Sequence, residues 1–334
     1  MRYAELPLHY GKAPRWLFSR MVDLSRLIAE WIIEEYGEDE FIRRMADPFF
    51  FQSFALVVGF DWHSSGTTTT LTGALRLSLR DLPIGIAGGK GKTAIKTPEL
   101  IKKEGEKINL NSNKVEFLKR ASRLTAKVDN ACIQDGYTLY HHVVLFSKRS
   151  YAVIQQGMKV SERKARRYHW LNPQQFLLEH DIVGIKEKKV LNLIGKNNEE
   201  VRKAMVDLAK DLRLPSRHEI LPLDLSKRDI EFFKAIKEYN PSSFEEMILF
   251  KGMGQKRLRA LALISNLVYG NELDWHDPVK YAFAHGGKDG IPFPVDVGMY
   301  DKNIALLREA LENKKGKYVL KALKRLNEFW RSKV

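Results

Sequence analysis

The stretch His141-His-Val-Val-Leu-Phe-Ser-Lys-Arg-Ser-Tyr-Ala-Val-Ile-Gln-Gln-Gly157 decides how the first half of the chain folds. Residues 143–146 and 151–154 are apolar runs of strand length, and Ser147-Lys-Arg-Ser150 between them has the polarity of a turn, so a β-hairpin is predicted. Upstream, Ile84-Gly-Ile-Ala-Gly-Gly-Lys-Gly-Lys92 reads as a short strand running into a glycine-rich loop, and Phe54-Ala-Leu-Val-Val-Gly-Phe60 as a further strand. Trp16, Leu17, Met21, Leu24, Leu27, Ile28, Trp31 and Ile32 recur at helical spacing. They predict a helix pair over 14–47, stopped by Asp47-Pro48.

Downstream of about 185 the strand signals end. Helices are predicted over 199–213, 226–239, 242–249, 255–269 and 300–329, with Pro215, Pro222, Pro241 and Pro278 between or beside them. The expected fold class is α+β. A mixed α/β domain over 1–185 is expected to carry catalysis, and a linker over 186–198 includes Lys186-Glu-Lys-Lys189. An all-helical helix-hairpin-helix domain is expected over 199–334.

The 334 residues are 44% hydrophobic, enough for a sizeable core. Fifty-six Lys and Arg against 41 Asp and Glu leave a net charge of +15, which favours polyanions through counterion release. No run of 18 apolar residues occurs and Met1-Arg-Tyr-Ala-Glu-Leu-Pro7 lacks a signal-peptide pattern, so a cytoplasmic protein without a membrane partner is expected. Cys132 is the only cysteine, which excludes an internal disulfide and a thiolate zinc cluster; within Asn130-Ala-Cys-Ile133 it is expected to be buried and inert.

The strongest motif lies between the helices predicted at 242–249 and 255–269. Gly252 and Gly254 allow a turn tight enough to aim backbone N–H groups at a phosphate from the second helix's N-terminus. Lys251, Lys256, Arg257 and Arg259 surround it with positive charge, which predicts a sequence-independent grip on the DNA backbone. Ala87-Gly-Gly-Lys-Gly-Lys-Thr93 misses the spacing of a nucleotide-binding P-loop, so no nucleotide cofactor is expected. A backbone nest for a DNA phosphate is expected there, with Lys90 and Lys92 as point charges.

Polar residues crowd the region from 61 to 169. Asp61 and His63 follow an apolar run at i and i+2; Asp129, Asp135, His141, His142, Gln155, Gln156 and Arg166 come after. Carboxylates and imidazoles in one domain suit a divalent metal, Mg or Mn, that activates water, with Asp61, Asp129 and Asp135 as expected ligands. A histidine acting as general base without metal is the other route. Arg166 is expected to contact DNA. The hairpin also partly resembles that of restriction-type nucleases, with Asp135 and Gln155 in the first two catalytic positions and Gly157 where a lysine stands in that family.

The glycine turn and its flanks resemble the helix-hairpin-helix of base-excision glycosylases. That resemblance places Lys256 at the catalytic lysine and Asp296, within Ile291-Pro-Phe-Pro-Val-Asp296, at the catalytic aspartate. A wider set of blocks is similar to the prokaryotic domain-of-unknown-function family 763. They include Leu6-Pro-Leu-His-Tyr-Gly-Lys-Ala-Pro-Arg-Trp16, Gly59-Phe-Asp-Trp-His-Ser-Ser-Gly66, Ala126-Lys-Val-Asp-Asn130, Gln134-Asp-Gly-Tyr137, Arg166-Arg-Tyr-His-Trp170 and His285-Gly-Gly-Lys-Asp-Gly290. The family name implies no activity. The residues lead to a metal-assisted DNA nuclease acting in repair or processing. A glycosylase using Lys256 and Asp296 and a non-catalytic DNA-structure binder stay open, as does a homodimer.

Overall fold

The predicted hairpin forms, and the rest of the described chain packs around it. The computed structural model describes residues 6–8, 13–60, 64–211 and 227–280. Strand β1 (Leu6–Pro7) precedes α1 (Arg15–Tyr36), α2 (Glu38–Ala46), α3 (Pro48–Val58) and α4 (Ser65–Ser78). Then come β2 (Gly85–Lys90), α5 (Lys92–Ile95), α6 (Thr97–Lys107) and α7 (Ser112–Lys127). Strands β3 (Ile133–Gln134), β4 (Thr138–Phe146), β5 (Tyr151–Lys159), β6 (Lys164–Leu171), β7 (Asp181–Val183) and β8 (Leu191–Asn192) follow. The described residues close with α8 (Glu199–Asp211), α9 (Lys227–Tyr239), α10 (Phe244–Leu249) and α11 (Gln255–Tyr269).

The main sheet is antiparallel in the order β1-β6-β5-β4-β2, with β7 also paired to β6. Alternate side chains enter opposite layers. Ala152 and Ile154 of β5, with Val143 and Leu145 of β4, pack against α1–α4, whereas Tyr151, Val153, Val144 and Phe146 face α6, α7 and the C-terminal helices. Covering on both faces explains why these strands read as nearly continuous apolar runs rather than alternating ones. The class is α+β.

Three expectations are corrected. Residues 54–60 are not a strand, because α3 runs through them. The side chain of Asp47 accepts from the amides of Phe49 and Phe50 at 2.8 Å, and Pro48 occupies the first turn. Phe51, Phe54, Ala55 and Val58 are then buried at helical spacing. A short apolar run suits either period, and here the start signal decides.

The glycine-rich segment is largely strand rather than loop. Gly88 and Gly89 pair with Val143 and His142 in the β2–β4 ladder. Gly88 has φ +108, and a Cβ there would stand 2.1 Å from the carbonyl oxygen of His142. Its role is close strand approach, which leaves little of the expected phosphate nest.

Residues 186–198 are not a linker. Within them β8 pairs with β3, and Val190, Leu191, Leu193 and Ile194 are buried in the same cluster as Val153, Trp170, Met205, Met247 and Leu258. The described residues fall in one compact unit, Glu5–Tyr281, so the helices after 199 share the core instead of standing apart. Helices α8 to α11 lie close to the predicted spans. The helix expected over 300–329 lies outside the described residues.

Gly88→Ala is expected to destabilise the protein by at least ~3 kcal/mol, combining backbone strain with a clash that neither strand can relieve. Gly91 has φ +59 and ψ −124 but meets nothing within 4 Å, so Gly91→Ala should cost backbone strain alone, roughly 1–3 kcal/mol. Thermal melts of the two variants check the difference, and equal losses would remove the packing role given to Gly88.

Candidate active site

Helix α7 starts at Asn111, whose side chain accepts from the Lys114 amide at 2.8 Å, and buries Leu118, Ala121, Ser122, Leu124 and Thr125 on its inner face. It ends in a π-helical turn, Val128–Cys132. The widened turn, a form often found at functional sites, carries Asp129 to where the chains of β5 and β6 meet it. The Asp129 carboxylate is fully buried. Its Oδ2 accepts from Trp170 Nε1 at 2.9 Å and from Gln155 Nε2. Nε2 of His180 lies 2.8 Å from Oδ1, and the His180 ring stacks on Trp170 with centroids 3.6 Å apart.

A directed chain of hydrogen bonds follows. The indole N–H can only donate, so Asp129 Oδ2 is an acceptor and the atom of Gln155 beside it must be the amide nitrogen. The Gln155 Oε1 therefore faces His142, 2.7 Å from Nδ1, which must be the protonated ring nitrogen. The other nitrogen, Nε2, is left to accept from Ser122 Oγ at 2.8 Å. Burial pushes the pKa of His142 below its ordinary value, against opposing pulls from Gln155 and Asp129. The result is a neutral imidazole holding a serine proton, oriented by an amide that a carboxylate anchors in turn. This is the logic of a nucleophile, base and orienter triad with one group inserted.

Ser122 and His142 line a pocket of about 460 Å³. Lys127, Asn130, Met253 and Gly254 share its wall, so the turn between α10 and α11 meets the Ser122–His142 pair at one opening. Three contacts dock that turn: Lys127 Nζ donates to Met253 O at 2.6 Å, Gln255 Nε2 to Asn130 O at 2.5 Å, and Gln134 Nε2 to Gln255 O at 2.9 Å. Ser122 and His180 carried no signal in the sequence, because each gains meaning only through partners on other elements.

The remaining predicted residues separate. Asp135 does not fit a metal ligand: Oδ1 accepts from the Tyr137 amide, and Oδ2 from Arg166 and Tyr168, each at 2.8–2.9 Å. Asp129 is engaged as described, and among the described residues no group of three or more His, Cys, Asp or Glu is placed to hold a metal. Arg166 is not a DNA contact. It is fully buried between Asp135 and Asp277, with Nη2 2.7 Å from Asp277 Oδ2; burial opposes its charge, but the two carboxylates hold its pKa above the ordinary value.

On the other sheet face, Gln156 accepts from Thr68 Oγ1 at 2.6 Å and donates to Ser65 O and Tyr140 Oη. His141 Nε2 lies 3.0 Å from Thr72 Oγ1. Arg167 lies over Phe51, 4.6 Å from the ring centroid. These contacts tie α3 and α4 to the sheet. Asp61, His63 and Asp296 lie outside the described residues.

Of the predicted cations, Lys90, Lys92, Lys251 and Lys256 are exposed. Arg259 is exposed, with Nε donating to Gln134 at 2.7 Å. Arg257 is turned inward: it donates to Gly252 O and Asp229 and covers Phe232 at 3.9 Å, which ties the turn to α9. Cys132 is buried, and burial raises its thiol pKa to about 12, as expected of an inert cysteine.

Removing one member of a buried ion cluster leaves an unpaired charge. Asp135→Ala is expected to lower stability by roughly 3–5 kcal/mol, so loss of function should come with loss of fold; an unchanged calorimetric Tm would show otherwise. Burial, with smaller contributions from His142 and Lys90, lowers the pKa of His141 from 6.5 to about 3. The unfolded chain then takes up a proton that the folded one refuses. Stability is complete above the ordinary histidine value and is lost as pH falls towards about 3. His141→Gln should shrink the Tm difference between neutral and mildly acidic buffer, as melts at both pH values will read.

No curated protein and no solved structure matches the chain. Residues 2–295 match the family model described as "Protein of unknown function (DUF763)", and the chain belongs to that family.

Proposed function

We propose that the protein is a DNA phosphodiester hydrolase acting in the pocket between α7, β4 and the α10–α11 turn. One observation carries this reading: Ser122 and His142, oriented through Gln155 by Asp129, open into the same pocket as Met253 and Gly254. A volume of about 460 Å³ is in the range of small-ligand sites. A net charge of +15, with Lys251 and Lys256 exposed beside the turn, supplies the attraction for a polyanion.

In this reading His142 Nε2 takes the Ser122 proton as Oγ bonds to phosphorus. It returns that proton to the leaving oxygen as the old P–O bond breaks. The Gln155–Asp129 pair stabilises the transient imidazolium, while Lys127 and Arg123 at the pocket face the phosphate charge. A water then displaces Oγ from phosphorus with the same base assistance. Asp135 spends both oxygens on other donors and Asp129 Oδ2 is taken by Trp170 and Gln155, so no step is routed through a metal they would hold.

Ser122→Ala and His142→Gln are expected to reduce cleavage of end-labelled DNA by at least about a hundredfold. Binding, read by fluorescence anisotropy, should stay within about threefold. Activity should survive a chelator. Lys251→Ala with Lys256→Ala should weaken binding and lower the slope of log affinity against log salt by up to about 2. Undiminished cleavage by Ser122→Ala, or its loss to chelator alone, would overturn the assignment.

A further inference from the structure

Helix α1 buries Met21, Ser25, Ala29 and Ile32 on its inner side. Its outer side carries Trp16, Leu27 and Trp31 at 63, 63 and 61% exposure, with Leu24 also exposed. Arg20 lies in the same stripe, its guanidinium 5.6 Å from the Trp16 ring centroid. Two tryptophans and two leucines in one stripe on a 22-residue helix form a surface that a monomer rarely leaves to water.

The charges along α1 say what covers it. Arg15 and Arg20 stand at the N-terminal end, Glu34 and Glu35 at the C-terminal end. The helix has three arginines against one aspartate and three glutamates, so it is a slightly acidic strip on a chain of net charge +15. A polyanion or an anionic membrane is attracted elsewhere on such a molecule. A helix basic at one end, acidic at the other and apolar between is complementary to itself when reversed.

We infer that α1 is the two-fold interface of a homodimer, packed antiparallel against α1 of a second copy. With Leu24 opposite Leu27 of the second copy, Arg20 falls opposite Trp31 and Trp16 opposite Glu35, and the symmetry repeats each pairing. Arg20 then meets the acidic end, and the leucines close the centre. A parallel arrangement sets like charges together.

Sedimentation velocity on the full chain tests this, with no dependence on catalysis. The wild type should be a dimer at high micromolar concentration. Leu27→Glu with Trp31→Glu should raise the dimer Kd by about a hundredfold or more; at a concentration low enough for both proteins to be monomeric, circular dichroism should show the same melt because both positions are exposed in the monomer. Arg20→Glu should weaken the dimer; adding Glu34→Arg and Glu35→Arg in the same chain should restore it. A monomeric wild type, a dimer indifferent to Leu27→Glu with Trp31→Glu, or a combined swap that fails to restore association would each overturn the inference.

Discussion

The strands at the centre of the sheet are covered by helices on both faces, so a polar side chain in the middle of β4, β5 or β6 has little access to water. Each must find its partners inside the protein or destabilise it by several times the worth of one hydrogen bond. A full polar row nevertheless crosses the sheet: His142 pairs with Gln155 and Gln155 with Tyr168, while His141 pairs with Gln156 and Gln156 with Arg167. Because neighbouring residues point to opposite faces, two polar networks lie back to back. One is organised by Asp129, the other by Thr68 and Thr72. The glycines of β2, the π turn after α7 and the threonines of α4 all serve this constraint.

The two networks differ in what their members have left to do. On the α1–α4 side, Gln156 is saturated by Thr68, Ser65 and Tyr140. Its network reads as cross-linking between helix and sheet. On the α7 side the chain of donors ends at a hydroxyl that borders a pocket, so the directionality set by Trp170 and Asp129 emerges at Ser122. The Arg166 cluster beside it is a third arrangement. Two carboxylates, a tyrosine and the Ile185 carbonyl surround one guanidinium, fastening β6 to the segment before Lys280. Charge is thus divided by depth, with balanced ion clusters inside and the surplus lysines outside.

Much of the fold was legible along the chain. Strands β4 and β5 and helices α8 to α11 follow from local apolar spacing and turn chemistry, properties of neighbouring residues. The misses share one cause. The 54–60 run has a period too short to separate a strand from a buried helix, and Asp47, outside the run, decides. Leu191–Asn192 looked like linker because its flanks are charged, yet its pairing with β3 buries it. Arg166 has the composition of a DNA contact, and nothing adjacent in sequence announces that Asp277, more than a hundred residues away, neutralises it.

For the candidate site the division is sharper. His142, Gln155 and Asp129 were singled out because carboxylates, imidazoles and amides crowd one region of the sequence, a composition that suits metal binding or general-base chemistry. The amino-acid sequence by itself determined the α+β class, the basic surface, the central hairpin and the family. Only the tertiary structure decided which polar groups are partners, because a hydrogen bond depends on angstrom-scale positions contributed by separate elements. Ser122 on α7, His142 on β4, Gln155 on β5 and Asp129 in the π turn come together only once α7 and its π turn pack on that face of the sheet.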